Sequence, residues 1–179
     1  LKAIETEVLL HLWGAFSIGG KGIHLSRHAE LLQNGANGLA DDDFIPPIQL
    51  LKQGFSIGEM QNSPVLIAPR DKSLQAGGFS RQSVDTLRAG WPPDPIESET
   101  LPLIQILELY KKYPEIALRL MNISTSEGVE ILSRAHSKPM TTVHWWHLVN
   151  DTSNLSPHEI GWSVTPSMGS AKDRASLIK

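Results

Sequence analysis

Three aspartates stand in a row at Asp41-Asp42-Asp43, His144 and His147 lie three apart, and Arg70-Asp71 follows a short apolar run. Carboxylates and imidazoles are the usual oxygen and nitrogen ligands of zinc. A zinc site of that kind ionises water and polarises a carbonyl. Each group also has a plainer structural reading. The aspartates suit a solvated turn and helix cap. On a strand, residues three apart face opposite sides, so the two histidines would converge only if the chain turned helical there. Otherwise His144, Trp145 and Trp146 pack around a rim with their polar tips finding partners. His11 sits in an apolar run and reads as a hydrogen-bonded core histidine. His24 and His28, four apart near a helix start, suit the surface. Arg70 would hold a carboxylate or phosphate through a bidentate contact, or else pair internally with Asp71.

Nucleophilic and nucleotide chemistry find little support. Ser124-Thr125 has no histidine and acid arranged to activate it, and helix capping explains the pair. "GGKG", Gly19 to Gly22, lacks the spacing and terminal Ser/Thr of a phosphate-binding loop. No residue of the chain is assigned a catalytic role.

The 179 residues suffice for one domain with a substantial core, and 40% hydrophobic with 20% charged residues is ordinary for a globular protein. A net charge of -3 with scattered basic residues points away from nucleic acid. Without cysteines, disulfides and thiolate metal sites are excluded, which fits a cytoplasmic protein. No apolar run approaches the roughly 18 residues of a membrane span, and no signal peptide is expected at the N-terminus. The first residue is Leu1 rather than Met, as in a portion of a longer protein.

The elements that must position these groups alternate along the chain. Apolar runs at "EVLLHLW", "ANGLA", "PVLIA", "IALRLMNI", "MTTVHWW" and "GWSVTP" read as strands. Helices are expected at "LSRHAELLQNG", with Ser26 near its start, and at "PPIQLLKQGFSIGEM", which Gly54 would break early. A third, "IESETLPLIQILELYKKY", spaces Leu103, Ile106, Leu107 and Tyr110 along one buried face. "SEGVEILSRAHS" and a last helix from about Ala171 follow. Residues 69–95, rich in Gly and Pro, read as a long loop whose Arg81, Arg88 and Trp91 would form a lid, or whose Trp91 would anchor a subunit contact. About six βα units with a parallel sheet follow, as a doubly wound sheet or as part of a (β/α)8 TIM-type barrel, in a single domain over 1–179.

"LWGAFSIGGKG", "NGANGLADDD", "VLIAPRDKSL", "AGWPPDPIESE", "MNISTSEGVEIL", "VHWWHL" and "TPSMGSAKDRASLI" occur in the order found in the dihydroorotase branch of the cyclic amidohydrolases. The chain resembles that branch over nearly its whole length, and especially its cyanobacterial dihydroorotase-like proteins. The resemblance implies part of a β/α barrel with one or two zinc ions at the C-terminal strand ends. It also implies reversible cyclisation of carbamoyl aspartate to dihydroorotate in pyrimidine synthesis.

Position by position, the resemblance argues against that chemistry here. Asp42 matches a carboxylate that bridges the metals in one dihydroorotase class. Ala68 and Asn122 stand where the family has ligand histidines. An alanine binds no metal, and a neutral amide oxygen is a poor zinc ligand. Thr165 stands where an asparagine usually contacts substrate. The resemblance places the paired-histidine segment upstream of Leu1 and the strand with the catalytic aspartate after Lys179. The leading expectation is a non-catalytic binding or scaffold subunit linked to pyrimidine biosynthesis, with no cofactor in this chain. It would be homo-oligomeric, with aspartate transcarbamoylase as a candidate partner. One alternative is an active cyclic amidohydrolase that keeps zinc through Asp42 and histidines outside this chain. Another is a sensor of small carboxylates that uses Arg70 and the long loop.

Overall fold

The computed structural model describes residues 10–41, 43–60, 62–154, 156 and 160–179, along which short strands alternate with helices. Strand β1 (Trp13–Ala15) leads to helix α1 (His28–Gln33), β2 (Gly38–Asp41) to α2 (Ile48–Ile57), and β3 (Val65–Ile67) to α3 (Lys72–Gln75). A small pair follows, β4 (Ser80–Arg81) and β5 (Pro93–Asp94), with α4 (Val84–Ala89) between them. The rest runs α5 (Glu97–Tyr110), β6 (Leu118–Leu120), α6 (Ser126–Arg134), β7 (Met140–Thr141), α7 (Trp146–Val149) and α8 (Ala171–Ile178).

The main sheet is parallel throughout, in the order β1-β2-β3-β6-β7. Parallel neighbours require a crossover between them, and the intervening helices supply it, so all strand C-termini gather at one edge. Val65, Ile67, Leu118 and Leu120 are buried in the middle of this sheet. Helix α5 lays Leu103, Ile106 and Leu107 into the same core, and Tyr110 packs at its border. Fully burying each aliphatic side chain contributes about 1.5–3 kcal/mol.

The predicted α/β alternation with a parallel sheet is therefore present, and several local expectations change. Gly54 does not break α2. It lies buried inside the helix, and a Cβ there would come within 2.5 Å of the Phe16 ring, so the glycine lets the helix approach the core. Of "EVLLHLW", residues 7–9 lie outside the described residues, and the described strand begins at its last residue, at Trp13–Ala15. His11 is exposed, not buried, and its Nδ1 lies 2.6 Å from Asn37 Nδ2. His28, expected at the surface, is buried with Nε2 2.8 Å from the Phe16 carbonyl. Helix α1 starts at His28, two residues after Ser26, with Arg27 at its cap position.

"GWSVTP" forms no strand: Ile160–Trp162 is a 3-10 turn, and the Thr165–Pro166 peptide that follows is cis. The segment read as a long loop carries α3, β4, α4 and β5, with β4 and β5 paired in parallel. Burial explains this order. Arg81 is 1% exposed within it, and Trp91 packs its ring 4.3 Å from that of Trp162. No helix among the described residues is long and apolar enough to cross a membrane.

Candidate functional site at the strand ends

Strand β2 ends at Asp41, which is 6% exposed. Its carboxylate accepts from the Phe16 amide at 3.1 Å, the Ser17 amide at 3.2 Å and the Ser17 hydroxyl at 2.5 Å. The carboxylate thereby ties the end of β2 to the turn after β1. Asp42 lies outside the described residues. Asp43 is exposed, and its carbonyl accepts from Arg70 Nε at 3.0 Å. Arg70 is buried against this turn, while Asp71 caps α3, accepting from the Ser73 and Leu74 amides. The Ser73 hydroxyl and these amides hold the Asp71 carboxyl below the usual carboxylate range. Thr165 is exposed, just before the cis peptide bond.

After β3 comes Ala68, 0% exposed, with its amide directed to the Asp41 carbonyl at 3.4 Å. After β6 comes Asn122, whose backbone sits in the left-handed region at φ 56. Its amide donates to Thr142 Oγ1 at 3.1 Å. Asparagine is one of the few side chains that enter this region readily. Among the described residues, no three His, Asp or Glu side chains converge as a metal site.

Beside these strand ends lies a cleft of about 790 Å³. Its walls come from Trp13 to Ala15, from Gly20 to Ile23, from Ala40 and Asp41, and from Asp43 to Pro47, with Lys72 from the start of α3. It occupies the edge at which β/α folds build their pockets, because the connecting turns there vary without disturbing the sheet.

Behind β6 lies a buried polar network that the sequence reading missed. Thr125 caps α6, as expected, accepting from the Gly128 amide at 2.9 Å. Ser124 and Thr125 together also give two amides and two hydroxyls to one carboxylate, that of Glu99, at 2.6 to 3.1 Å. Gly128 leaves room for it, since a Cβ there would stand 2.5 Å from Glu99 Oε1. Arg81 completes the network. It donates to Ser124 Oγ at 3.0 Å and Ser98 Oγ at 2.9 Å, and pairs with Asp94 at 3.2 Å. Arg81 is thus an interior tie rather than a lid residue, whereas Arg88 is exposed. One sign was legible: Glu99 stands in the α5 stripe ahead of Leu103 and Ile106, where an apolar residue is the norm.

His144 and His147 do meet, because the chain turns helical at Trp146. Their rings lie 5.8 Å apart and nearly perpendicular. His147 Nε2 faces the carbonyls of Pro166 at 3.1 Å and Ser167 at 3.3 Å, so the imidazole anchors the cis-proline segment. Burial pushes its pKa below the ordinary value; the two carbonyls oppose that and His144 adds to it.

No protein-family model matches the chain. Among curated proteins it is 31% identical over 186 residues to a probable dihydroorotase-like protein of Synechocystis, a match covering 98% of this chain and 42% of that protein. It is 28% identical to a dihydroorotase of Thermoanaerobacter, over 82% of this chain and 32% of that protein. The chain thus spans about two fifths or less of the length of these relatives. Among solved structures it is similar to the L-hydantoinase (dihydropyrimidinase) of Arthrobacter aurescens, with a TM-score of 0.68 and 18% identity over 93% of this chain and 39% of that one. The dihydroorotase of Saccharomyces cerevisiae, solved with 5-fluoroorotic acid, follows with a TM-score of 0.54 and 10% identity, over 85% of this chain and 44% of that one. The chain therefore belongs to the dihydroorotase-like amidohydrolases and forms part of their β/α barrel.

Proposed function

We propose that the protein carrying this chain has given up zinc-dependent cyclic amide hydrolysis. It serves instead as a non-catalytic binding or scaffold subunit linked to pyrimidine biosynthesis in the cytoplasm. One observation carries this reading: the two strand ends where the resemblance expects ligand histidines hold Ala68 and Asn122. Ala68 is sealed in the core without a donor atom, and Asn122 offers a neutral amide from a left-handed backbone position. The Asp41 carboxylate is engaged by Phe16 and Ser17. These described residues do not fit a zinc ion, which takes imidazole nitrogen, thiolate or available carboxylate ligands. No hydrolytic step is therefore routed through them.

The test uses the full-length protein. Zinc and manganese content is measured alongside dihydroorotate hydrolysis on the same sample. The reading expects metal far below one ion per chain and no turnover. Near-stoichiometric metal with turnover would overturn it in favour of Asp42 and ligands outside this chain. The scaffold role carries its own expectation, self-association or co-sedimentation with aspartate transcarbamoylase, which analytical ultracentrifugation of the full-length protein reads directly.

A further inference from the structure

We infer that the outward face of α5 docks a second copy of this chain, seated antiparallel across Ile104. This rests on the scaffold reading, from which self-association follows, and it names the surface.

Helix α5 crosses over between β3 and β6, in the middle of the sheet, and packs between α2 and α6. The open edges of the sheet are β1 and β7, so closing the barrel adds strands away from the outer side of α5. A helix in that layer normally turns polar residues outward. Here Glu97, Leu101, Ile104, Glu108 and Lys111 follow one helical stripe, opposite the side that buries Glu99, Leu103 and Ile106. Leu101 is 47% exposed and Ile104 43%, one turn apart in the middle of the helix.

The charges at the ends of the stripe select the partner. Glu97 stands seven residues before Ile104 and Lys111 seven after it, and helical backbone geometry continues through Lys111. A two-fold axis at Ile104 therefore sets Glu97 against the partner's Lys111, and does so twice. Leu101 then lies beside the partner's Ile104, and the antiparallel arrangement sets the two helix dipoles in opposition. Among the described residues Glu97 forms no ion pair, and Lys111 pairs with Glu108 at the exposed surface. An exposed pair of that kind contributes little, so it yields readily to an intermolecular one.

The experiment follows the full-length protein by analytical ultracentrifugation across a concentration series. A contact through one helix is smaller than a standard interface, so a reversible dimer with micromolar affinity is expected. Ile104→Glu puts two like charges on the axis and should weaken the dimer at least about tenfold, at an unchanged melting temperature. Glu97→Lys and Lys111→Glu should each weaken it, and the protein carrying both should recover most of the parent's affinity. Added salt should weaken the parent dimer. Leu87→Glu, on the exposed side of α4, should leave the dimer intact. A dimer that survives Ile104→Glu, or one that Leu87→Glu breaks instead, would overturn the proposal and leave self-association to another surface. Failure of the exchanged charges to rescue would overturn the antiparallel seat. A protein that stays monomeric at every concentration would overturn the proposal together with the expected self-association. If Ile104→Glu then also lowered the melting temperature, the protein's own chain would be what covers α5. The lapsed-enzyme reading would still be decided by metal content and turnover.

Discussion

Arg81 Nη2 lies 3.8 Å from Glu99 Oε2, with both side chains at 1% exposure or less, and the Ser124 hydroxyl bridges them. The segment carrying β4 is thereby fastened to the start of α6 through the first turn of α5. A buried charge that loses its partner is expensive, because the survivor stays desolvated without compensation. Arg81→Met and Glu99→Gln should each lower stability by about 3–5 kcal/mol. The double variant should lose less than the sum, because the two residues share one network. Denaturant midpoints of the four proteins give the coupling, and strictly additive losses would count against the network.

Gly54 and Phe16 make a second test. Alanine at position 54 improves helix propensity by about 1 kcal/mol. Its Cβ, however, enters the Phe16 ring at 2.5 Å. Overpacking of that kind costs about 1–3 kcal/mol, so Gly54→Ala should be net destabilising. Adding Phe16→Leu should recover part of the loss, since it removes the clashing ring. Thermal melts of single and double variants check this, and a Gly54→Ala protein more stable than the parent would refute it.

Asn122 is held at φ 56, where most side chains meet the following carbonyl. Asn122→Ala should cost about 1 kcal/mol, and Asn122→Gly should be neutral to within about 0.5 kcal/mol. The hydrogen bond from the backbone N–H of residue 122 to Thr142 Oγ1 survives in both, so the difference isolates the backbone. Equal stabilities for the two variants, read by urea titration, would remove the backbone argument.

His147 sets a pH dependence. Burial lowers its folded pKa below the ordinary 6.5, so on acidification the unfolded chain takes up the proton first. Stability should therefore fall as pH drops from the ordinary value towards the depressed folded value, and level off below it. The depressed carboxyls Asp71, Glu127 and Asp151 lose their contributions only further down, in the carboxylate range. Between about pH 7.5 and about pH 5.5 the parent should thus lose more stability than His147→Gln, as urea midpoints at the two pH values would show. Parallel losses in both proteins would exclude His147 as the source.

Elements that rest on local pattern are legible in the sequence by itself. The apolar run at Val65–Ile67, the Leu103, Ile106 and Leu107 stripe, the Thr125 cap and the start of α8 are each written within a few neighbouring residues. Hydrophobic period, caps and short connections act over one or two turns of chain, and their alternation implies a parallel sheet. The family resemblance carried by the ordered motifs is legible too, and so are Ala68 and Asn122 at the positions where that resemblance expects histidines.

What tertiary structure alone decided is which distant groups meet. His28 and His11 exchanged their expected environments, because burial depends on what packs over a residue. His144 and His147 came together only because the chain turned helical between them. Arg81 became a core residue because Asp94, Ser98 and Ser124, from three separate elements, close around its guanidinium. A buried ion is tolerated only when its partners arrive from elsewhere in the fold, and no local pattern records that arrival.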